Sequence, residues 1–347
     1  MIRSFLFVPG DSERKQTKAL GSAADALIFD LEDSVAASKL PDARNMVAAA
    51  LRSRPRPDAG KRSGPAFWVR VNSLGTGKLI EDLVAVIGGA PQGVVLPKVA
   101  SAAEVVEISN YLSALEQREG VDVGTTQVLV IATETPQALL GLGGYVAAFE
   151  GATGAQQALR SEQAKLASGG GSGTSGAQVL RHAGEPTQAP SATAVAARRL
   201  LGLTWGMEDL GAALGSSSKV DEQGALTFTF QLARSTCLLA AAALNVQAID
   251  GVQADFRDSE GLKRESAAAR RDGFTGKMAI HPDQVPIINS AFTPTTGEVE
   301  HAQRVVAAFA AAPDAGVTSL DGAMLDRPHL VQAQRILAAA ERNGDEQ

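Results

Sequence analysis

Two acidic residues placed just past apolar runs are the chain's best candidates for chemistry. Glu134 follows Val128-Leu129-Val130-Ile131-Ala132-Thr133, and Asp209 follows Leu200-Leu201-Gly202-Leu203-Thr204-Trp205-Gly206-Met207-Glu208. A buried strand with an acid beyond its carboxyl end is how α/β barrels present catalytic groups. Neither acid has a histidine or cysteine beside it, so the pair suits a hard cation, Mg2+ or Mn2+, shared between them. Such an ion takes one or two carboxylates and leaves positions for water and for the oxygens of a keto or hydroxy acid. The competing reading is structural, with both acids salt-bridged to Arg70 and Lys98.

Arg70 interrupts the apolar run Ala66 to Asn72. A buried guanidinium needs a partner. Glu32 or Asp33 can supply one, and so can a substrate carboxylate, which the planar fork grips with two bonds. Lys98 closes another run. It reads either as an ion-pair partner or, less simply, as a Schiff-base amine. Arg14, Lys15 and Lys18 lie on an early helix, where they form a solvated face or meet a phosphate-bearing ligand. The four histidines do not make a zinc site. No Gly-x-Ser-x-Gly elbow indicates a serine nucleophile.

These groups need a scaffold. Eight apolar runs recur, at 4–8, 26–31, 66–72, 93–99, 128–133, 199–206, 246–252 and 276–282. Helical stretches stand between most of them, an alternation that makes a parallel sheet. Eight such units favour a (β/α)8 TIM barrel with a C-terminal helical extension. An open doubly wound sheet would want a glycine-rich dinucleotide loop, and Pro9-Gly10-Asp11 is not one. We expect a catalytic barrel over 1–290 and an extension over 291–347. The stretch 151–193, with Gly169-Gly170-Gly171-Ser172-Gly173, reads as a flexible insertion looping out on the face away from the chemistry.

Composition sets the outer limits. The 347 residues are 45% hydrophobic but only 4% aromatic, so the core must be built from aliphatic side chains. The formal charge of −6 with scattered basic residues argues against a nucleic-acid partner. The single cysteine, Cys237, cannot form an internal disulfide and reads as a packing residue. No run is long enough to span a membrane, and the N-terminus lacks a signal-peptide pattern, so a cytoplasmic enzyme is the expectation.

The motifs resemble those of the citrate lyase beta subunit family, which includes malyl-CoA and citramalyl-CoA lyases. The matching pieces are Arg3-Ser4-Phe5-Leu6-Phe7-Val8-Pro9-Gly10, Phe29-Asp30-Leu31-Glu32-Asp33-Ser34-Val35, Val69-Arg70-Val71-Asn72 and Leu96-Pro97-Lys98. They continue with Glu134-Thr135-Pro136, Gly206-Met207-Glu208-Asp209-Leu210, Asp255-Phe256-Arg257-Asp258, Gly273-Phe274-Thr275-Gly276-Lys277 and Ile280-His281-Pro282. The last is Leu320-Asp321-Gly322-Ala323-Met324-Leu325-Asp326.

The resemblance implies a Mg2+-dependent carbon–carbon lyase acting on citryl-, malyl- or citramalyl-CoA. It implies Glu134 and Asp209 as metal ligands, Arg70 on the keto-acid carboxylate, and Asp326 as catalytic acid/base. Asp326 would be carried on a segment that closes over a neighbouring subunit. Phe7, Arg14, Lys18, Lys277 and Met278 would contact coenzyme A. Symmetric homo-oligomers, often trimers, are also implied. The alternatives are a citrate lyase complex subunit working on an acyl-carrier-protein thioester, and a malyl-CoA thioesterase.

Overall fold

The computed structural model describes residues 1–54, 64–149, 191–312 and 316–344. Eight parallel strands close a barrel in chain order. They are β1 Ser4–Pro9, β2 Ala26–Asp30, β3 Ala66–Arg70, β4 Gly93–Leu96, β5 Gln127–Ile131, β6 Leu200–Thr204, β7 Gln247–Asp250 and β8 Gly276–Ala279. β8 pairs back onto β1 through Phe5 and Met278. The helices outside it are α1 Glu13–Leu20, α2 Leu40–Ser53, α3 Leu79–Val86, α4 Ala102–Glu119, α5 Pro136–Phe149, α6 Ala192–Arg199, α7 Met207–Leu214, α8 Phe228–Ala243, α9 Ser259–Asp272 and α10 Val285–Phe292. The expected (β/α)8 barrel is what forms.

The runs are strands because they are buried on both faces. β2 is buried at every residue, which a parallel strand between barrel interior and helix layer demands. Residues alternate between two cores. Phe5, Ile28, Trp68, Val95, Leu129 and Met278 fill the interior. Leu6, Phe29, Val69, Val94 and Val130 face the helices. Few aromatics are needed, because one large ring does much of the filling. Trp68 is fully buried and meets Phe5 edge-on at 5.8 Å. Gly93 makes room for it: a Cβ there would lie 2.2 Å from the Trp68 ring.

Helix ends follow their sequences. Ser101 caps α4 by accepting from Glu104 N, and Gly120 at φ 68° ends it. After α10 come α11 Thr296–Ala310, the antiparallel hairpin β9 Val317–Leu320 and β10 Ala323–Asp326, and α12 Arg327–Gly344. Ala302, Val305, Phe309, Leu325 and Ala333 give this tail its own small core.

The sequence reading needs two corrections here. Most of the insertion expected at 151–193 lies outside the described residues, but its last part opens helix α6. Ser191 accepts from Ala194 N, and the alanine-rich stretch that follows favours helix. Arg199, read as the start of a strand, is the last residue of that helix. The tail motif around Asp321-Gly322 forms the connection of the β9–β10 hairpin. Asp321 and Gly322 take φ 52° and 82°, as a tight two-residue connection requires.

Candidate active site

The carboxyl ends of the strands surround a cavity of about 320 Å3. Its wall includes Glu134, Asp209, Arg70, Phe7 and Met278. The structure thus brings these five residues of the sequence reading to one cavity. Glu134 lies past the end of β5 and is 3% exposed. Its Oε2 accepts from Lys98 N at 2.5 Å. Gly206 packs behind it: a Cβ there would sit 2.8 Å from Glu134 Cγ. Gly206 N donates to Thr133 Oγ1 at 3.2 Å, fixing the β6 loop against the β5 loop. Asp209 sits in the first turn of α7, where a carboxylate is favoured by the helix dipole.

The cations reach their acids across strands. Arg70 is the register partner of Asp30. It donates to both Asp30 oxygens at 2.7 Å, from Nε and Nη2. Its Nη1 lies 3.0 Å from Glu32 and donates to Asp33 at 3.3 Å. Its face stacks over the Phe7 ring at 5.0 Å. Lys98 Nζ donates to Glu32 at 2.6 Å and lies 3.6 Å from Asp209. Behind these groups, fully buried Asp82 accepts from Asn72 N and Nδ2 at 2.7 and 2.8 Å. Asn72 Nδ2 also donates to Leu31 O at 2.8 Å, tying the β2 and β3 ends together. Arg44 completes this lock by donating to Asp82 at 2.8 Å.

Charge states follow from these contacts. Burial pushes Glu134 well above the ordinary carboxylate range, and the negative charges of Asp209 and Glu32 add to this, against the Lys98 N–H. Burial raises Glu32 as well, despite Arg70 and Lys98. Asp30 stays low, because Arg70 more than offsets its burial. Burial alone would lower Arg70 and Lys98, but the surrounding carboxylates hold both firmly charged. A permanently charged Lys98 is a poor Schiff-base nucleophile. The ion-pair reading of Lys98 is the one its contacts favour.

The donor set suits a hard cation. Buried Glu134 converges with Asp209, and neither histidine nor cysteine lines the cavity among the described residues. Two neighbouring carboxylates, one buried, are the charge arrangement a divalent ion relieves. Among the described residues no group of three or more His, Cys, Asp or Glu is arranged to hold a metal. Such an ion would therefore complete its shell with water and substrate oxygens, as Mg2+ does.

Other expected residues lie elsewhere. Lys277, expected on coenzyme A, is 2% exposed and points away from the cavity. Its Nζ donates to Asp250 at 2.9 Å and lies 3.4 Å from Glu265. Neighbouring strand residues face opposite ways, so Met278 can enter the barrel only if Lys277 leaves it. Arg14 and Lys18 are exposed on α1, outside the cavity wall. Asp326 ends β10, hydrogen-bonded to His329 at 2.5 Å, and is not among the residues that line this chain's own cavity. The sequence reading missed Asp30, whose signal was a charge inside a fully apolar run. It also missed Asp250, which accepts from Trp205 Nε1 at 2.8 Å and so orients a ring in the cavity wall.

Fold and site together define a TIM-barrel protein with an acid-lined, cation-suited mouth. The chain belongs to the HpcH/HpaI aldolase/citrate lyase family. The model of that family matches residues 3–156, and one described as a C–C bond lyase of the TIM-barrel fold matches residues 230–344. A (3S)-malyl-CoA thioesterase of Cereibacter sphaeroides is 32% identical over 98% of this chain and 95% of its own. Citrate lyase subunit beta of Escherichia coli K12 is 33% identical over 99% of this chain and 94% of its own. Among solved structures, Mycobacterium tuberculosis CitE with magnesium, acetoacetate and coenzyme A is 30% identical, covers 98% of both chains and superposes with a TM-score of 0.66.

Proposed function

We propose that the chain is a Mg2+-dependent carbon–carbon lyase. It splits a β-hydroxyacyl-CoA of citryl-, malyl- or citramalyl-CoA type into acetyl-CoA and a keto acid. The observation that carries this reading is the convergence of buried Glu134 and Asp209 beside Arg70 in one cavity. Family membership, and relatives solved with magnesium and keto acids, support it.

Glu134 and Asp209 would hold the ion, which supplies a Lewis acid for the keto oxygen. Arg70 retains a terminal N–H beyond its bonds to Asp30 and Asp33 and anchors the acid's carboxylate. On cleavage the bond between the α and β carbons breaks and its electron pair passes to the thioester, giving an enolate. The β-hydroxyl gives its proton to water at the cavity mouth as it becomes a carbonyl, and water in turn reprotonates Asp326 after it has acted. Asp326 delivers a proton to the enolate carbon, reaching it from the C-terminal hairpin of a neighbouring copy in a homo-oligomer. Phe7 and Met278 form the wall against the thioester arm, and Arg14 and Lys18 meet its phosphates at the rim.

A thioesterase is the second reading, favoured by the likeness to the malyl-CoA thioesterase. One assay separates them: citryl-, (S)-malyl- and (S)-citramalyl-CoA with Mg2+, following keto acid and free thiol. Keto acid without thiol is expected. Thiol with hydroxy acid would make the chain a thioesterase. Silence on all three, with the protein folded, would turn the search to acyl-carrier-protein thioesters.

A further inference from the structure

One polar side-chain atom in the cavity lining has no hydrogen-bond partner among the described residues. Thr204 is the last residue of β6, register partner of Ile131, and 1% exposed. It lines the cavity, yet its Oγ1 has no hydrogen-bond partner. Among the described residues it is the only cavity-lining side chain with such an orphaned atom. An unpaired buried hydroxyl is costly, so its retention calls for a partner that arrives with the ligand.

Its depth says which part of the ligand that is. Thr204 and Ile131 end their strands, whereas Glu134 and Asp209 stand several residues further toward the mouth. Thr204 is on a strand and shares the barrel interior with its partner Ile131, whereas Glu134 is in the turn after β5 and Asp209 in the first turn of α7. The hydroxyl therefore belongs to the barrel interior and the carboxylates to the loops that follow the strands. The substrate's carboxylate and reacting oxygen are engaged at their level, and the thioester arm leaves through the mouth. The group that reaches the floor is the remaining substituent of the acid half. Its register partner Ile131 and the nearby lining residue Val252 are apolar.

Charge narrows it further. Among the described residues Arg70 is the only cation lining the cavity, against Asp30, Asp33, Glu134, Glu208 and Asp209. Its fork already meets Asp30, Glu32 and Asp33, so one terminal N–H is left for a substrate carboxylate. A second carboxylate on the floor would find no cation. We propose that Thr204 is a specificity-determining residue that hydrogen-bonds an uncharged oxygen on the substituent of the acid half. The acid released is then a monocarboxylic keto acid with a small substituent bearing a hydroxyl or similar neutral oxygen, not a dicarboxylic one. This rests on the lyase reading above and names the substrate class within it.

The test runs the reaction as condensation, with acetyl-CoA, Mg2+ and four keto acids: pyruvate, 2-oxobutyrate, hydroxypyruvate and oxaloacetate. Hydroxypyruvate and 2-oxobutyrate differ by one hydroxyl for one methyl. The wild type should favour hydroxypyruvate over 2-oxobutyrate by at least about tenfold in kcat/KM, with oxaloacetate the poorest. Thr204→Val should erase that ratio, and Thr204→Ser should keep it. Without ligand, the Tm of Thr204→Val should equal or exceed the wild type, because no bond is lost. A lower Tm would mean that the hydroxyl is bonded within the free protein, and would overturn the proposal. So would a preference for oxaloacetate, or a ratio unchanged in Thr204→Val. Absence of condensation with all four acids, or condensation with the wrong preference, overturns this inference; the lyase reading falls only if the cleavage assay on the three acyl-CoA thioesters also releases no keto acid.

Discussion

Asp30 and Arg70 are register partners on adjacent strands, and their side chains meet through two parallel bonds of 2.7 Å. Asp30 therefore aims the guanidinium into the cavity. Asp30→Asn should lower kcat/KM by about 10–100-fold, the usual cost of losing a group that orients a ligand-binding side chain. Arg70→Lys should not restore function, because an ammonium cannot make the paired bonds. Steady-state kinetics on folded variants checks both. Unchanged kcat/KM in Asp30→Asn would remove Asp30 from the site's machinery.

Lys98 is held charged by Glu32, Asp33 and Asp209. Borohydride added during turnover should therefore trap no adduct on Lys98, as read by intact mass. Trapping a keto acid there would replace metal-assisted chemistry with an imine mechanism.

At the opposite end of the barrel, Arg199 and Glu116 are both fully buried and pair at 2.6 Å. Ser109 and Ser113 accept from Arg199, and Gly124 N and Thr126 N donate to Glu116. Glu116→Gln leaves the guanidinium uncompensated and should cost about 3–5 kcal/mol in urea unfolding. Burial would raise Glu116, but Arg199 and the backbone donors more than offset it and hold it low. A depressed carboxyl stabilises fully above its unfolded value and loses that contribution as pH falls through the folded one. The wild type should thus lose stability on acidification below about pH 4, and Glu116→Gln should show a shallower loss. An equal slope in both would exclude Glu116 as a source of the acid sensitivity.

Lys277 pairs with Asp250 inside the helix layer, where Arg234 also reaches Asp250 at 2.9 Å. Lys277→Met should cost about 3 kcal/mol, the low end for a broken buried pair because Arg234 remains. Its KM for acyl-CoA should stay within about twofold, since the amine offers no uniform binding to give up. Arg14→Ala with Lys18→Ala should do the reverse, raising KM with little change in Tm. A large KM effect at Lys277 would return it to the coenzyme A site.

The sequence by itself determined the barrel and which polar residues stand at its strand ends. Eight apolar runs alternating with helices admit few folds, and runs buried on both faces leave acids and bases to gather at the strand ends. Glu134, Asp209 and Arg70 could be named on that basis alone. Which partner each would meet could not be read. Arg70 found Asp30, Glu32 and Asp33 because strand register sets those neighbours, and register is a property of the closed sheet. Lys277 and Met278 are adjacent in sequence but opposite in space, because a strand turns successive side chains to opposite faces. Thr204 shows the same limit. As a letter it is one threonine in an apolar run, and it becomes a candidate for substrate selection only because the fold buries its hydroxyl at the cavity floor without a partner.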